Sequence, residues 1–129
     1  MRLLLDTHAV LWAALEDRRL TKKAREAILD EANAVHFSIA SVWEIAIKVG
    51  IGKLPHAARL AADLREGTAM PGFTELAISR SHAVEAGLLN LPHKDPFDRL
   101  LIAQARLEGM TLISNERLFD RFGVKRLWD

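Results

Sequence analysis

Four carboxylates fall at positions where chemistry can be built. Asp6 closes a short apolar run from Arg2 to Leu5. Glu44 lies on a narrow polar line, Ser41, Glu44 and Lys48, in a stretch that is apolar on two sides. One side is Val42, Ile45, Ala46 and Val49; the other is Trp43 with Ile47. A helix of that kind is expected to be mostly buried, so its acid needs a partner or a cation. Asp98 heads an apolar stripe of Leu101, Ile102 and Ala105 at helical spacing, while Arg99 and Arg106, seven apart, mark the solvent-facing stripe of the same helix. Glu116 follows the apolar run Thr111 to Ile113, together with Ser114 and Asn115. Carboxylates gathered within a few ångströms repel and take up protons unless a cation neutralises them. Oxygen ligands in a chain without cysteine favour Mg²⁺ or Mn²⁺ over zinc. Such a site suits phosphodiester hydrolysis: a metal activates a water and stabilises the developing charge, and a second ion, if bound, assists the leaving oxygen.

Each acid also has a plainer reading. Asp6 can be a strand-end turn residue, and Glu44 a capping-box partner of Ser41 or a surface partner of Lys48. Asp98 can complement the helix dipole behind an Asp95 N-cap, and Glu116 can simply open a short helix. Their joint placement carries the argument, because no one position does.

The elements that must position them alternate. Arg2 to Leu5, Val35 to Phe37, Phe73 to Ala77, Thr111 to Ile113 and Lys125 to Trp128 read as strands. Helical patterns cover Thr7 to Glu16, Thr21 to about Glu31, Ser38 or Ser41 to Gly50, His56 to Glu66, Ser79 to Leu89, Pro96 to Glu108 and Glu116 to Arg121. Alternation of this kind predicts an α/β sandwich, a parallel sheet covered on both faces by helices. Ligands of such sheets bind beyond the carboxyl ends of the strands, where Asp6 and Ser114 to Glu116 fall.

Composition narrows the rest. The 129 residues make one domain, 1–129, with half of them apolar. Eighteen basic against 17 acidic residues exclude attraction to nucleic acid through overall charge, though not through a local patch. Arg117, Arg121, Lys125 and Arg126 form a locally basic segment, offset by Asp120, which is either a solvated face or, if beside the acids, a holder of phosphates. The absence of cysteine excludes a disulfide framework, a zinc ribbon and a thiol nucleophile. The start, MRLLLD, meets an acid too early for a signal peptide, and no apolar stretch approaches the roughly 18 residues that span a membrane. A small cytoplasmic protein is expected. The five histidines show neither i, i+4 pairing nor HExxH, although His93 precedes the Asp98 helix closely enough to approach the site.

LLLDTHAVLW, SVWEIAIKVGIGKL, and DPFDRLLIAQA followed by TLISNERLF strongly resemble PIN-domain proteins, nearest the VapC-type ribonuclease toxins of toxin–antitoxin pairs. The similarity runs over essentially the whole chain and implies a PIN-like sandwich with a central, mostly parallel sheet flanked by helices. The family's acids carry over to Asp6, Glu44, Asp98 and Glu116, with Asp95 the first acid of the DPFDR motif. At the fourth position Glu replaces the usual Asp, so Glu116 is expected to reach a metal through water or not at all. Asp6 and Asp98 are the expected metal ligands, Glu44 next, with Thr7 and Ser114 supporting them by hydrogen bonds. The resemblance implies Mg²⁺-dependent endonucleolytic cleavage of RNA, Mn²⁺ substituting. It also implies a homodimer, and neutralisation by a small antitoxin whose amphipathic segment has Leu11, Trp12, Leu15, Trp43 and Ile47 as contacts, residues that can equally be core.

Two other functions stay open. One, suggested by Glu116 in place of the usual Asp, is a non-catalytic PIN-fold module that binds RNA or protein. The other, suggested by the strand-end Asp6-Thr7, is a small-molecule phosphatase, which Asp6 serves poorly because His8 stands where a second acid is needed.

Overall fold

The computed structural model describes residues 1–90 and 95–129; His93 lies outside the described residues. Five strands, β1 (Arg2–Leu5), β2 (Ala34–Ser38), β3 (Thr74–Leu76), β4 (Thr111–Ile113) and β5 (Lys125–Leu127), pair in the order β3-β2-β1-β4-β5. Every pairing is parallel, with Leu5 in register with Phe37 on one side and with Ile113 on the other. Among the described residues six α-helices cover the sheet: α1 (Thr7–Ala14), α2 (Lys22–Leu29), α3 (Ile39–Gly50), α4 (Ala58–Glu66), α5 (Arg80–Leu88) and α6 (Pro96–Glu108).

The period-2 alternation of the central strand sets the two layers. Leu3 and Leu5 point into a core with Val10, Trp12, Ile28, Ile45 and Leu60, drawn from α1 to α4. Leu4 points the other way and joins Leu112 in packing against Leu101, Ile102, Phe119 and Phe122. Leu3, Leu4 and Leu5 are all fully buried, each burial stabilising the fold by roughly 2 kcal/mol. A run hydrophobic on both faces is the mark of a covered parallel strand. Helix starts follow their caps: Thr21 accepts from the Ala24 amide at 3.1 Å, and Ser38, not Ser41, accepts from Ala40 at 3.0 Å. Gly109, at φ 66°, ends α6 in a left-handed turn so that β4 begins two residues later.

Five sequence expectations change. Helix α1 ends at Ala14, because the chain turns through Glu16 at φ 52° and the Asp17 amide bonds back to Trp12 at 2.8 Å. The helix expected from His56 opens as a 3-10 turn over Pro55–Ala57, and the one expected over Glu116 to Arg121 is a 3-10 turn over Arg117–Phe122. Arg99 is not solvent-facing, since its guanidinium donates to the Ala86 and Leu89 carbonyls at 3.0 and 2.7 Å and closes the end of α5. Helix α3 buries one apolar stripe only: Ile45 is inside, while Trp43 is 54% exposed and Ile47 38%. Of the apolar residues considered for a partner, Leu11 and Trp12 belong to the core and Leu15 stays at the surface.

Candidate active site

The strand order reverses direction between β1 and β4, and a crevice opens at their carboxyl ends. Backbone pairing continues one step past the strands there. The Asp6 amide donates to Ile113 O at 3.1 Å, and the Ser114 amide to Leu127 O at 3.3 Å. Asp6 and Ser114 therefore leave the sheet side by side, and the Ser114 hydroxyl donates to the Asp6 carboxylate. Ser114 Oγ in turn accepts from the Glu116 amide at 3.0 Å, which fixes the loop after β4. Arg126 braces that loop from β5, donating to Ser114 O at 3.0 Å while gripping both Asp120 oxygens at 2.8 and 3.0 Å.

Asp6 is the N-cap of α1, its Oδ1 accepting from the Ala9 amide at 2.8 Å. With 5% of its surface exposed, burial pushes its pKa from 3.8 up to about 6, and the Asp98 charge pushes the same way. The bonds from Ser114 and Ala9 and the charge of His8 oppose the rise without cancelling it. Asp98 arrives from the first turn of α6, whose N-cap Asp95 accepts from the Phe97 and Asp98 amides at 2.9 and 3.2 Å. Glu44 comes from α3 and is buried. Its Oε1 accepts from the Thr7 hydroxyl at 2.6 Å, its Oε2 from the Lys48 ammonium at 2.8 Å, and Ser41 Oγ lies 3.0 Å from the same Thr7 hydroxyl. Glu116 is exposed and caps the 3-10 turn through Leu118 N at 3.2 Å.

These groups line one cleft of about 330 Å³: Asp6, Thr7, Glu44, Lys48, Asp95, Asp98, Asn115 and Glu116, with His8, Trp12 and Phe119. A larger groove of about 650 Å³ runs between α3 and α4, but it is lined mainly by Ala and Val and shares no lining residue with the acidic cleft. Of the basic segment, Arg117, Arg121 and Lys125 are exposed, whereas Arg126 is committed to Asp120 and Ser114.

The donor set suits a hard divalent ion. Every candidate ligand is oxygen, and the most buried, Asp6, carries a charge that costs energy until a cation arrives. Among the described residues no three His, Asp or Glu side chains form a closed ligand group, and Glu44 is held by Lys48 and Thr7. That arrangement fits Mg²⁺, which binds through one or two carboxylates and keeps several waters.

A model of the PIN domain matches residues 3–125, and the chain belongs to the PIN-domain family. Its fold is that of solved toxin structures. The VapBC2 complex of Rickettsia felis bound to a promoter DNA fragment aligns over 100% of both chains, at 18% identity and a TM-score of 0.73. VapC20 of Mycobacterium tuberculosis, a Sarcin-Ricin loop cleaving toxin, aligns over 98% of this chain and 99% of its own, at 18% and 0.68. DNA-bound VapBC of Salmonella typhimurium covers 98% and 97%, at 15% and 0.72. No curated protein sequence matches the chain. Among the described residues no helix is long and apolar enough to cross a membrane.

The Glu44–Lys48 pairing expected from their spacing is present, but the place of Lys48 in the cleft depends on how α3 is rotated. Sequence reasoning passed over two further features of this region. His8 stacks on Trp12 with ring centroids 5.3 Å apart, and Arg19 lies 5.0 Å from the same indole. Behind α3, the Ser38 hydroxyl donates to buried Gln104 at 2.6 Å, and Gln104 Nε2 reaches His82 Nδ1 at 3.4 Å. No local pattern announces such a network.

Proposed function

We propose that the protein is a Mg²⁺-dependent endoribonuclease, the toxin of a toxin–antitoxin pair, cleaving RNA phosphodiester bonds at this carboxylate cluster. One observation carries the reading: in a PIN fold, acids from β1, α3, α6 and the β4 loop line a single cleft at the point where the strand order reverses. Asp6 and Asp98 would hold the ion, with Glu44 and Glu116 at its margin. When bound, Mg²⁺ (or Mn²⁺) supplies an activated water and the charge that offsets the phosphate oxygens.

The chain's own residues do the positioning. Ser114 and the Ala9 amide fix the rotation of the Asp6 carboxylate, and the N-terminal end of α1 faces it with positive dipole charge. Thr7 and Lys48 hold Glu44 at the cleft wall. Arg117, Arg121 and Lys125 offer exposed cations for the RNA backbone, and Arg126 acts as a brace for the Ser114 loop. Exposed Trp43, in edge contact with Phe97 at 5.1 Å, and Ile47 give an apolar border beside Asp98 that suits an amphipathic antitoxin segment. A homodimer completes the reading.

The test is to incubate the purified, antitoxin-free protein with a mixed RNA pool and, separately, with a small phosphate monoester, in Mg²⁺ and in EDTA. Internal RNA cleavage in Mg²⁺ alone, with the ester intact, is expected. Phosphate release from the ester would assign the cleft to a phosphatase, and failure of both with no bound metal would leave a non-catalytic module.

A further inference from the structure

Among the described residues lining the acidic cleft, Lys48 is the only lysine or arginine. It sits one helical turn after Glu44, and its Nζ lies 2.8 Å from Glu44 Oε2. The side chain is 34% exposed against 10% for Glu44, so the ammonium reaches the cleft while its partner stays in the wall. Glu44 Oε1 meanwhile takes the Thr7 hydroxyl at 2.6 Å. Both oxygens of Glu44 are thus satisfied by the chain itself. Asp6 differs, being more buried and making no pair with a lysine or arginine among the described residues. The cleft therefore separates into an acid with a built-in counter-charge and an acid that awaits one.

We infer that Lys48 is the second cation of the site: its ammonium occupies the place beside Glu44 that a second divalent ion would need, and it faces the RNA phosphate in the cleft. An ammonium has three donors, and Glu44 takes one, leaving two for phosphate oxygens. A divalent ion at Glu44 would have to evict Lys48 and leave that charge part-buried without its partner, which opposes binding. One ion, held by Asp6 and Asp98, is the resulting stoichiometry. The inference rests on the nuclease reading and deepens it.

The experiment titrates RNA-free protein with Mn²⁺, counting bound ions by electron paramagnetic resonance, for wild type, Lys48→Met and Lys48→Arg. In parallel, binding of a single-stranded RNA oligomer is measured in EDTA over a range of salt. Wild type and Lys48→Arg are expected to take one Mn²⁺ each, and Lys48→Met two, because its Glu44 has lost its counter-charge. Lys48→Met also loses about 0.7 from the slope of log K against log salt, the effect of one phosphate contact on a single strand, and Lys48→Arg keeps the wild-type slope. Two ions in the wild type, one in Lys48→Met, or an unchanged slope would each overturn the inference and leave the nuclease standing. No Mn²⁺ bound by any of the three proteins would overturn the nuclease reading itself. Circular dichroism confirms folding of each variant.

Discussion

Asp6→Asn should make the protein more stable at neutral pH while removing its activity. The Asp6 carboxyl has a folded-state pKa of about 6 against an ordinary 3.8, chiefly because it is buried. Below pH 3.8 the folded and unfolded chains are both protonated there, and the residue costs nothing. Between about pH 4 and pH 6 the unfolded chain releases its proton first, so stability falls as pH rises; above pH 6 the full cost is present. At 1.36 kcal/mol per pH unit the interval corresponds to about 3 kcal/mol at pH 7. Asparagine is neutral and an equally good N-cap for the Ala9 amide, but it accepts less well from Ser114. A net gain of about 1–3 kcal/mol follows, or roughly 3–9 °C in Tm for a domain of this size. The assay is thermal unfolding by circular dichroism of both proteins in EDTA at pH 3.5 to 7.5. The gap should open between pH 4 and 6 and stay constant above. Mg²⁺ should then narrow it, since an ion bound at 100 times its Kd stabilises the wild type by about 2.7 kcal/mol and the variant far less. A variant less stable than wild type at pH 7, or a gap that does not change with pH, would refute the reasoning.

Three further perturbations probe the supports of the site. Thr7→Val deprives buried Glu44 of its 2.6 Å hydrogen bond and should cost about 1–3 kcal/mol in denaturant unfolding at pH 7. Ser114→Ala removes the hydroxyl that orients Asp6 and anchors the Glu116 amide, and should lower Mn²⁺ affinity about 10- to 100-fold by calorimetry with the fold retained. Gln104→Leu deprives the buried Ser38 hydroxyl of its acceptor, and should destabilise by about 1–3 kcal/mol, read as a drop in Tm.

What the sequence discloses and what it withholds divide along physical lines. Strands and helices whose signals are local are legible: Arg2–Leu5 from an unbroken apolar run, Pro96–Glu108 from a proline start and a glycine stop, Thr111–Ile113 from its position after that glycine. The cleft acids are legible for a related reason, because a parallel sheet delivers strand-end residues such as Asp6 and Ser114 to one rim whatever the details. Geometry set by tertiary contacts is not legible. Arg99 reads as a solvent-facing helix residue until α5 presents its terminal carbonyls to it. Trp43 and Ile47 read as core because hydropathy reports side-chain type, not the partner a helix face actually meets. Arg126 counts as one of four loose cations by composition, yet Asp120 and Ser114 O claim it, and the exposed set shrinks to Arg117, Arg121 and Lys125. Lys48 belongs to the same class: its i, i+4 relation to Glu44 is plain in the sequence, and its position in the cleft is not.

The central claim is that Asp6 and Asp98 together hold the ion that cleaves RNA. Its most direct test is cleavage of a mixed RNA pool in Mg²⁺ and in EDTA by wild type, Asp6→Asn and Asp98→Asn, prepared identically so that contaminating nuclease is equal in all three. The account predicts Mg²⁺-dependent fragments from the wild type, none in EDTA, and none from either variant although both stay folded. Wild-type cleavage rates in a folded Asp98→Asn or Asp6→Asn protein would contradict it.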